Sequence, residues 1–279
     1  MLPPEGSPRP DAVVVGREPQ LPSLVKSAAR VLQIFDFFDE VQREAKVQEI
    51  ADQLDFPQSS TSVLLRSLVE MGFLDHDPQA RTFLPSPRVA LLGHWLNKGP
   101  MRDGTVVRML EEIAATTGES VVLATRNGLY AQDVRVLQGQ GAQPVRLPQG
   151  LRRLVVWSAT GFALLRDEPD HLVQALCRRA NAEADDGTAI DPHAVAAHLS
   201  QLRREDYVFS RGLVTAGLGS IAMPLPAGLD RGDRLFAIAV TGRLVDIAAR
   251  ERELVSIMRR AIARHLSAPA TNHMGDGGA

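Results

Sequence analysis

Apolar positions recur at helical spacing through the first third of the chain, then give way to the runs and alternations expected of strands. The densest pattern is Val47 to Met71, VQEIADQLDFPQSSTSVLLRSLVEM. Val47, Ile50, Ala51 and Leu54 mark one face of a short helix; Thr61, Leu64, Leu65, Leu68 and Met71 mark one face of a second. Asp55-Phe56-Pro57 between them reads as a tight turn, because Asp tolerates the left-handed conformation and Pro is pre-organised to open a helix. Gln58, Ser59, Ser60, Ser62 and Arg66 are left off the apolar stripe. An amide, short hydroxyls and a guanidinium are groups that reach base edges and phosphates. The pattern fits a helix-turn-helix with a recognition helix, and equally a plain helical hairpin. The next residues favour the first. Met71-Gly72-Phe73-Leu74-Asp75 stops the helix and starts a strand, Asp77-Pro78-Gln79-Ala80 turns, and Arg81-Thr82-Phe83-Leu84 returns. A hairpin directly after a recognition helix is the wing of a winged helix, with Arg81 placed to meet a phosphate.

The flanks complete this picture. Met1 to Pro22, rich in Pro and Gly without periodicity, is expected to be a disordered arm. Leu24, Ala28, Val31, Phe35 and Phe38 predict a long first helix that closes the winged-helix core over residues 23–84, and Ala45-Lys46-Val47 opens the next helix without a side-chain cap. Pro85-Ser86-Pro87 separates the wing from a helix over Arg88 to Asn97, striped by Val89, Leu92 and Leu96 beside Trp95. Within residues 85–100 it reads as a linker helix and dimer contact.

Beyond Met101 the pattern is mixed. Val106, Leu110, Ile113 and Ala114 give a helix ended by Thr117-Gly118, Ser120 to Thr125 a strand, and Arg126-Asn127-Gly128 a hairpin signal. Tyr130 to Leu137 returns, and Gln138 to Gln143 is a polar loop. Helices are expected at Thr160 to Leu165, Leu172 to Arg179 and His193 to Glu205, strands at Tyr207 to Phe209, Leu218 to Leu225 and Leu235 to Thr241, and a last helix through Ile247, Leu254, Ile257, Ala261 and Ile262. Residues 101–267 thus predict an antiparallel sheet flanked by helices, so the whole is α+β, with a loose tail over 268–279.

Composition narrows the function. With 279 residues, 44% of them hydrophobic, the chain accommodates two modest domains. The solitary Cys177 excludes a disulfide framework and a Cys-based zinc site. No segment reads as a signal peptide or a membrane span, which predicts a cytoplasmic protein without membrane partners. Charge pulls the other way from DNA binding: Ser23 to Leu84 holds six Lys/Arg against ten Asp/Glu, a net of −4. The acids at Asp36, Asp39, Glu40 and Glu44 gather around the end of the first helix, where they can face away from a duplex.

Several stretches carry a resemblance. LVKSAARVLQIFDFF, VQEIADQLDFPQSSTSVLLRSLVEMGFLDHD and TFLPSPRVALLGHWL are followed in order by EEIAATTGESVVLA, SATGFALLRD, LRREDYVFSRG and GLGSIAMPLP. Over about Leu24 to Ser267 the chain resembles the IclR-type bacterial transcription regulators. The resemblance implies an N-terminal winged helix-turn-helix, a linker helix and a C-terminal GAF-like effector domain. It also implies operator binding as a homodimer or dimer of dimers, under control of a small metabolite. Gln58 and Val63 stand where the family usually has a basic residue and an Arg. In the effector half, Ser220, Ala239, Thr241 and Phe162 replace more usual residues, and Gly212 to Ala216 lacks a usual acid. These departures point to a pocket with few polar partners and an apolar or aromatic effector.

The expected ligand cavity lies between the sheet and Leu151 to Leu165, lined by Tyr130, Trp157, Ser158, Ala159, Phe162, Ser220, Ile221, Ala239 and Thr241. Trp157 and Phe162 suit an ordinary core equally well. Arg126, Arg146, Arg152 and Arg153 are candidates to pair with an anionic ligand, against the commoner fate of a solvated Arg. Catalysis finds no support: Cys177 has no base at motif spacing, His193 and His198 are five apart and do not share a helix face, and there is no phosphate loop or nucleophile elbow. No cofactor or metal is expected. The favoured reading is a ligand-responsive transcription regulator. The rival is a small-molecule-binding enzyme or sensor whose N-terminal domain serves assembly only.

Overall fold

The computed structural model describes residues 25–93, 99–183, 189–230 and 234–266, which separate into two compact units. The first comprises helix α1 (Lys26–Val41), strand β1 (Ala45–Lys46), helices α2 (Val47–Leu54) and α3 (Gln58–Glu70), strands β2 (Leu74–Asp77) and β3 (Thr82–Pro85), and helix α4 (Pro87–Leu92). Asp55 takes the left-handed conformation at φ 53°, and its N–H bonds to the Ala51 carbonyl, so the turn between α2 and α3 is built as the sequence requires. Pro57 precedes α3, and its carbonyl accepts from both Ser60 and Thr61 hydroxyls. Ile34, Phe37 and Phe38 of α1 pack on Ile50, Leu65, Leu68, Leu74 and Phe83.

Of the stripe expected on α1, Val31, Phe35 and Phe38 pack on this core. Ala28 is exposed, and Ile34 and Phe37, which that stripe omits, are buried. Met71 also departs from its stripe, at 57% exposure, because it caps α3 beyond the last turn that faces the core. The small sheet has the antiparallel order β1-β3-β2. In α4, Ser86 caps the helix by accepting from the Arg88 N–H, and Gly93 closes it. The remainder of the expected linker helix, with Trp95 and Leu96, lies outside the described residues, as do the expected arm and tail.

The second unit opens with a short 3-10 turn at Gly99–Met101 and helix α5 (Thr105–Thr117), closed by Gly118 in the left-handed conformation. Strands β4 (Ser120–Asn127), β5 (Tyr130–Leu137) and β6 (Arg152–Leu154) precede helices α6 (Ala159–Leu164), α7 (Asp170–Glu183) and α8 (Pro192–Glu205). Strands β7 (Val208–Arg211), β8 (Leu218–Pro224) and β9 (Phe236–Arg243) lead to α9 (Leu244–Ala249) and α10 (Glu251–Leu266). The six strands form one antiparallel sheet, β6-β5-β4-β9-β8-β7. The α+β expectation holds, with one further edge strand, β6, and a last helix that is broken at Arg250. The hairpin also turns one residue later than Asn-Gly suggests. Asn127 pairs with Tyr130, so the loop is Gly128-Leu129, and Gly128 supplies the positive φ of 61°.

Alternation divides the sheet between two cores. Val121, Leu123, Ile221, Met223, Ile238 and Val240 face α5 and α10; Val122, Ala124, Ala131, Ala222, Ala237 and Ala239 face the layer containing α6, α7 and α8. The register of β5 shifts opposite Leu123 and Ala124, which pair with Arg135 and Asp133 and leave Val134 as an extra residue. The alanine-rich face leaves room beneath α6. That helix approaches closely: a Cβ on Gly161 would lie 2.2 Å from the Val155 carbonyl oxygen, so only glycine fits.

Candidate nucleic-acid interface and effector cavity

In the first unit, the buried face of α3 is Thr61, Leu65 and Leu68, with Leu64 half-buried. The other face presents Gln58, Ser59, Val63 (55% exposed), Arg66 and Ser67 to solvent, with Ser60 and Ser62 at its margin. Arg66 donates from Nε to the Ser62 carbonyl at 3.3 Å, which lays the guanidinium along the helix and leaves its other N–H groups available. Ser60 turns its hydroxyl back to the Pro57 carbonyl at 2.9 Å. The wing tip is tightened by Asp77, whose Oδ1 accepts the Gln79 and Ala80 N–H groups at 2.7 and 3.0 Å and holds that carboxyl below its ordinary range. Arg81 follows at φ 56°, exposed. The acid Glu44 accepts from Thr82, and Glu49 is paired with Arg43, so part of the negative charge of this unit is engaged internally.

In the second unit a cavity of about 50 Å³ lies between the sheet, the start of α6 and the loop joining β7 to β8. One register row crosses four strands as Ser120, Thr241, Ser220 and Ser210, and its last three residues line the cavity. Ser220 and Thr241 hydroxyls share a hydrogen bond of 2.9 Å, whereas Ser120 turns to the Val145 carbonyl. Ala239 and Val122 continue the sheet side; Ser158, Ala159 and Thr160 form the roof. Leu213, Val214 and Thr215 close one end, in a loop with positive-φ glycines at 212 and 217. Thr160 Oγ1 is buried with no hydrogen-bond partner among the described residues.

Of the nine residues expected to line this space, Ser158, Ala159, Ser220, Ala239 and Thr241 do so. Ile221 does not, because it alternates with Ser220 and points into the opposite core. Phe162 is buried one turn deeper in α6, its ring stacked on His198 at 4.7 Å. Tyr130 is taken up by the Arg152 guanidinium, 4.1 Å over its ring. Trp157 stands just before the turn into α6, half-buried at the edge of the core. Six hydroxyl residues and Arg153 contribute to the wall beside an apolar set that includes Val122, Leu147, Leu213, Val214 and Leu218. Ser210, Thr160 and Thr215 were missed, although Ser210 was reachable by extending the β-alternation across β7.

The four candidate arginines separate cleanly. Arg126 pairs with Glu168 at 2.5 Å, Arg152 covers Tyr130 and Arg146 is exposed. Arg153 alone of them lines the cavity, and it donates to Asp133 at 2.6 Å. Burial pushes the Asp133 carboxyl up from its ordinary range, against the opposing pull of Arg153. Cys177 is fully buried and its thiol is raised by burial, as suits a core residue. Among the described residues no group of three metal-ligating side chains occurs, and no helix is long and apolar enough to cross a membrane.

A winged helix with an exposed polar flank on its second helix-turn-helix element, in one chain with a sheet domain that forms a small cavity of mixed lining, defines a DNA-binding regulator with an effector domain. The chain matches the IclR helix-turn-helix domain over residues 27–78 and the bacterial transcriptional regulator IclR C-terminal domain over residues 104–268. It belongs to the IclR family of transcriptional regulators. It is 26% identical over 209 residues to the Pca regulon regulatory protein of Pseudomonas putida, covering 73% of this chain and 70% of that protein. It is 23% identical over 250 residues to the regulator XynR of Escherichia coli strain K12, covering 88% and 99%. Among solved structures, IclR of Thermotoga maritima shares the fold at a TM-score of 0.55 and 16% identity, over 86% of this chain and 96% of that one. These relatives are transcriptional regulators, which removes the enzyme reading.

Proposed function

We propose that the chain binds operator DNA as a homodimer, with Gln58, Ser59, Ser62 and Arg66 of α3 reading the major groove and Arg81 of the wing on a phosphate. The observation that carries this is the exposed polar flank of α3 opposite its buried Thr61-Leu65-Leu68 face. Two copies related by a two-fold axis would address the halves of an inverted repeat. The exposed Leu91 and Leu92 of α4 supply an apolar surface for that pairing. The effector is a small carboxylate. A cavity of about 50 Å³ has room for only a few non-hydrogen atoms, and hydroxyls with a guanidinium are the donors a carboxylate needs. One further relative, 24% identical over 201 residues, is the acetate operon repressor of Salmonella typhimurium. Effector binding alters operator affinity by favouring one of two states of the protein.

A gel shift on the DNA upstream of the chain's own gene tests the interface. Wild-type protein shifts the fragment, and Arg66→Ala weakens the shift by about 1–3 kcal/mol, or roughly 5- to 150-fold. Failure of the wild-type protein to shift it at low salt would remove the proposal.

A further inference from the structure

Resting on the effector reading above, we infer that Arg153 and Asp133 form a proton-coupled carboxylate receptor: a small acid anion binds the Arg153 guanidinium, and Asp133 takes up a proton from solvent as it does so.

The geometry sets this up. Arg153 pairs across the sheet with Ala131, which puts its side chain on the same face as Asp133, two residues along β5. Its side chain is only 13% exposed and borders the cavity, and one N–H is engaged by Asp133 Oδ2 at 2.6 Å. A guanidinium carries five N–H donors, so others remain for a ligand. Asp133 is wholly enclosed, and its Oδ1 has no hydrogen-bond partner among the described residues. A solvent-excluded carboxylate with one idle oxygen and a single guanidinium is a poor structural ion pair, because desolvation offsets much of the attraction. It suits a site whose charge is completed by something else.

Among the described residues, Asp133 has Arg153 as its ion-pair partner. Ala124 is its cross-strand partner on β4, and α6 contributes no charged residue. On β6, Arg152 is turned over Tyr130; on β5, Arg135 pairs with Leu123, which belongs to the opposite core. His198 of α8 stacks on Phe162, and burial favours its neutral form. When an anion joins Arg153, two carboxylates share one cation in a dry site, and one of them is driven to hold a proton. Asp133 is the one that cannot leave, and burial already biases it toward the protonated form. The bound protein then carries one more proton than the free protein, so affinity rises as pH falls.

Calorimetric titration of the full chain with propionate and pyruvate, in two buffers of different ionisation heat, reads the proton count directly. Propionamide is the uncharged control and inorganic phosphate the competing anion. The expected result is uptake approaching one proton per site, with Kd rising up to about tenfold per pH unit within the coupled range. Propionamide and phosphate should not bind. Asp133→Asn, which keeps an oxygen for Arg153, should bind the acids without proton uptake and with a flat pH profile. Arg153→Met should lose the acids by tenfold or more. Should its melting temperature show a damaged fold, Arg153→Lys, which keeps the charge but not the fork, should weaken binding while preserving the uptake. Acid binding by the wild type without uptake, unchanged binding in a folded Arg153→Met, or no acid binding at all would overturn the inference. A gel shift with the same acids separates it from the regulator reading. Proton-coupled binding that leaves operator affinity unchanged sinks the effector role alone; release of the operator without proton uptake sinks the receptor alone.

Discussion

At the scale of single residues, position on the backbone matters as much as side-chain chemistry. Arg81 holds a left-handed conformation at the wing tip that an L-residue adopts at a cost of roughly 1–2 kcal/mol. Arg81→Gly should therefore stabilise the protein by a few tenths to about 1 kcal/mol in urea denaturation while weakening the operator complex. The opposite signs would show that the position is kept for binding and not for folding. Thr61 has a different character. It is buried, and its hydroxyl returns to the Pro57 carbonyl, so Thr61→Val should cost about 1 kcal/mol in the same assay and leave base preference unaltered. His198 gives a pH signature. Burial lowers its pKa from 6.5, so the folded protein resists protonating it more than the unfolded chain does. Its contribution is intact above the unfolded value and is lost as pH falls through that value toward the lower folded one. Melting temperature should drop across this window, and His198→Phe should flatten that part of the profile.

At the scale of elements, the winged helix was readable because each device is local: two stripes, Asp55 in the turn, Gly72 after α3, and a hairpin. Elements that need distant partners were not. Ala45–Lys46 and Arg152–Leu154 are strands only because β3 and β5 run beside them, and two or three residues show no period of their own. The cavity divides along the same line. Ser220 and Thr241 could be placed on one face by alternation, and the same rule applied strictly would have excluded Ile221. Phe162 and Trp157 misled because large aromatics suit a pocket and a core alike, and only tertiary contacts decide between them: Phe162 stacks on His198, Trp157 packs at the core edge, and α6 makes a close approach to Val155. That approach gives an element-scale prediction. Gly161→Ala forces backbone apart at a 2.2 Å contact and should cost on the order of 1–3 kcal/mol or more, read as an early melting transition.

At the scale of the whole molecule, charge shapes how the chain meets DNA. The formal net charge is −2, and residues Ser23 to Leu84 are acidic, so little general attraction to a polyanion is available. If Arg81 is the phosphate cation of each subunit, a dimer neutralises about two phosphates, and log affinity should fall with log salt at a slope of roughly −2. A much steeper slope in a salt-series titration would mean that residues outside Gln58 to Arg81 carry part of the contact. Specificity in such a protein depends on shape and hydrogen bonding more than on charge.

The extra residue in β5 has a consequence for how this sheet tolerates change. Asp133 and Val136 are three positions apart, an odd interval, yet both point toward the layer of α6, because Val134 is left without a partner opposite Leu123 and Ala124. Removing Val134 would restore an unbroken ladder and force a choice: either the carboxylate turns away from Arg153, or the valine turns out of its hydrophobic layer. The irregularity thus works as a phase adjuster, setting the two ends of a single strand in step with different neighbours.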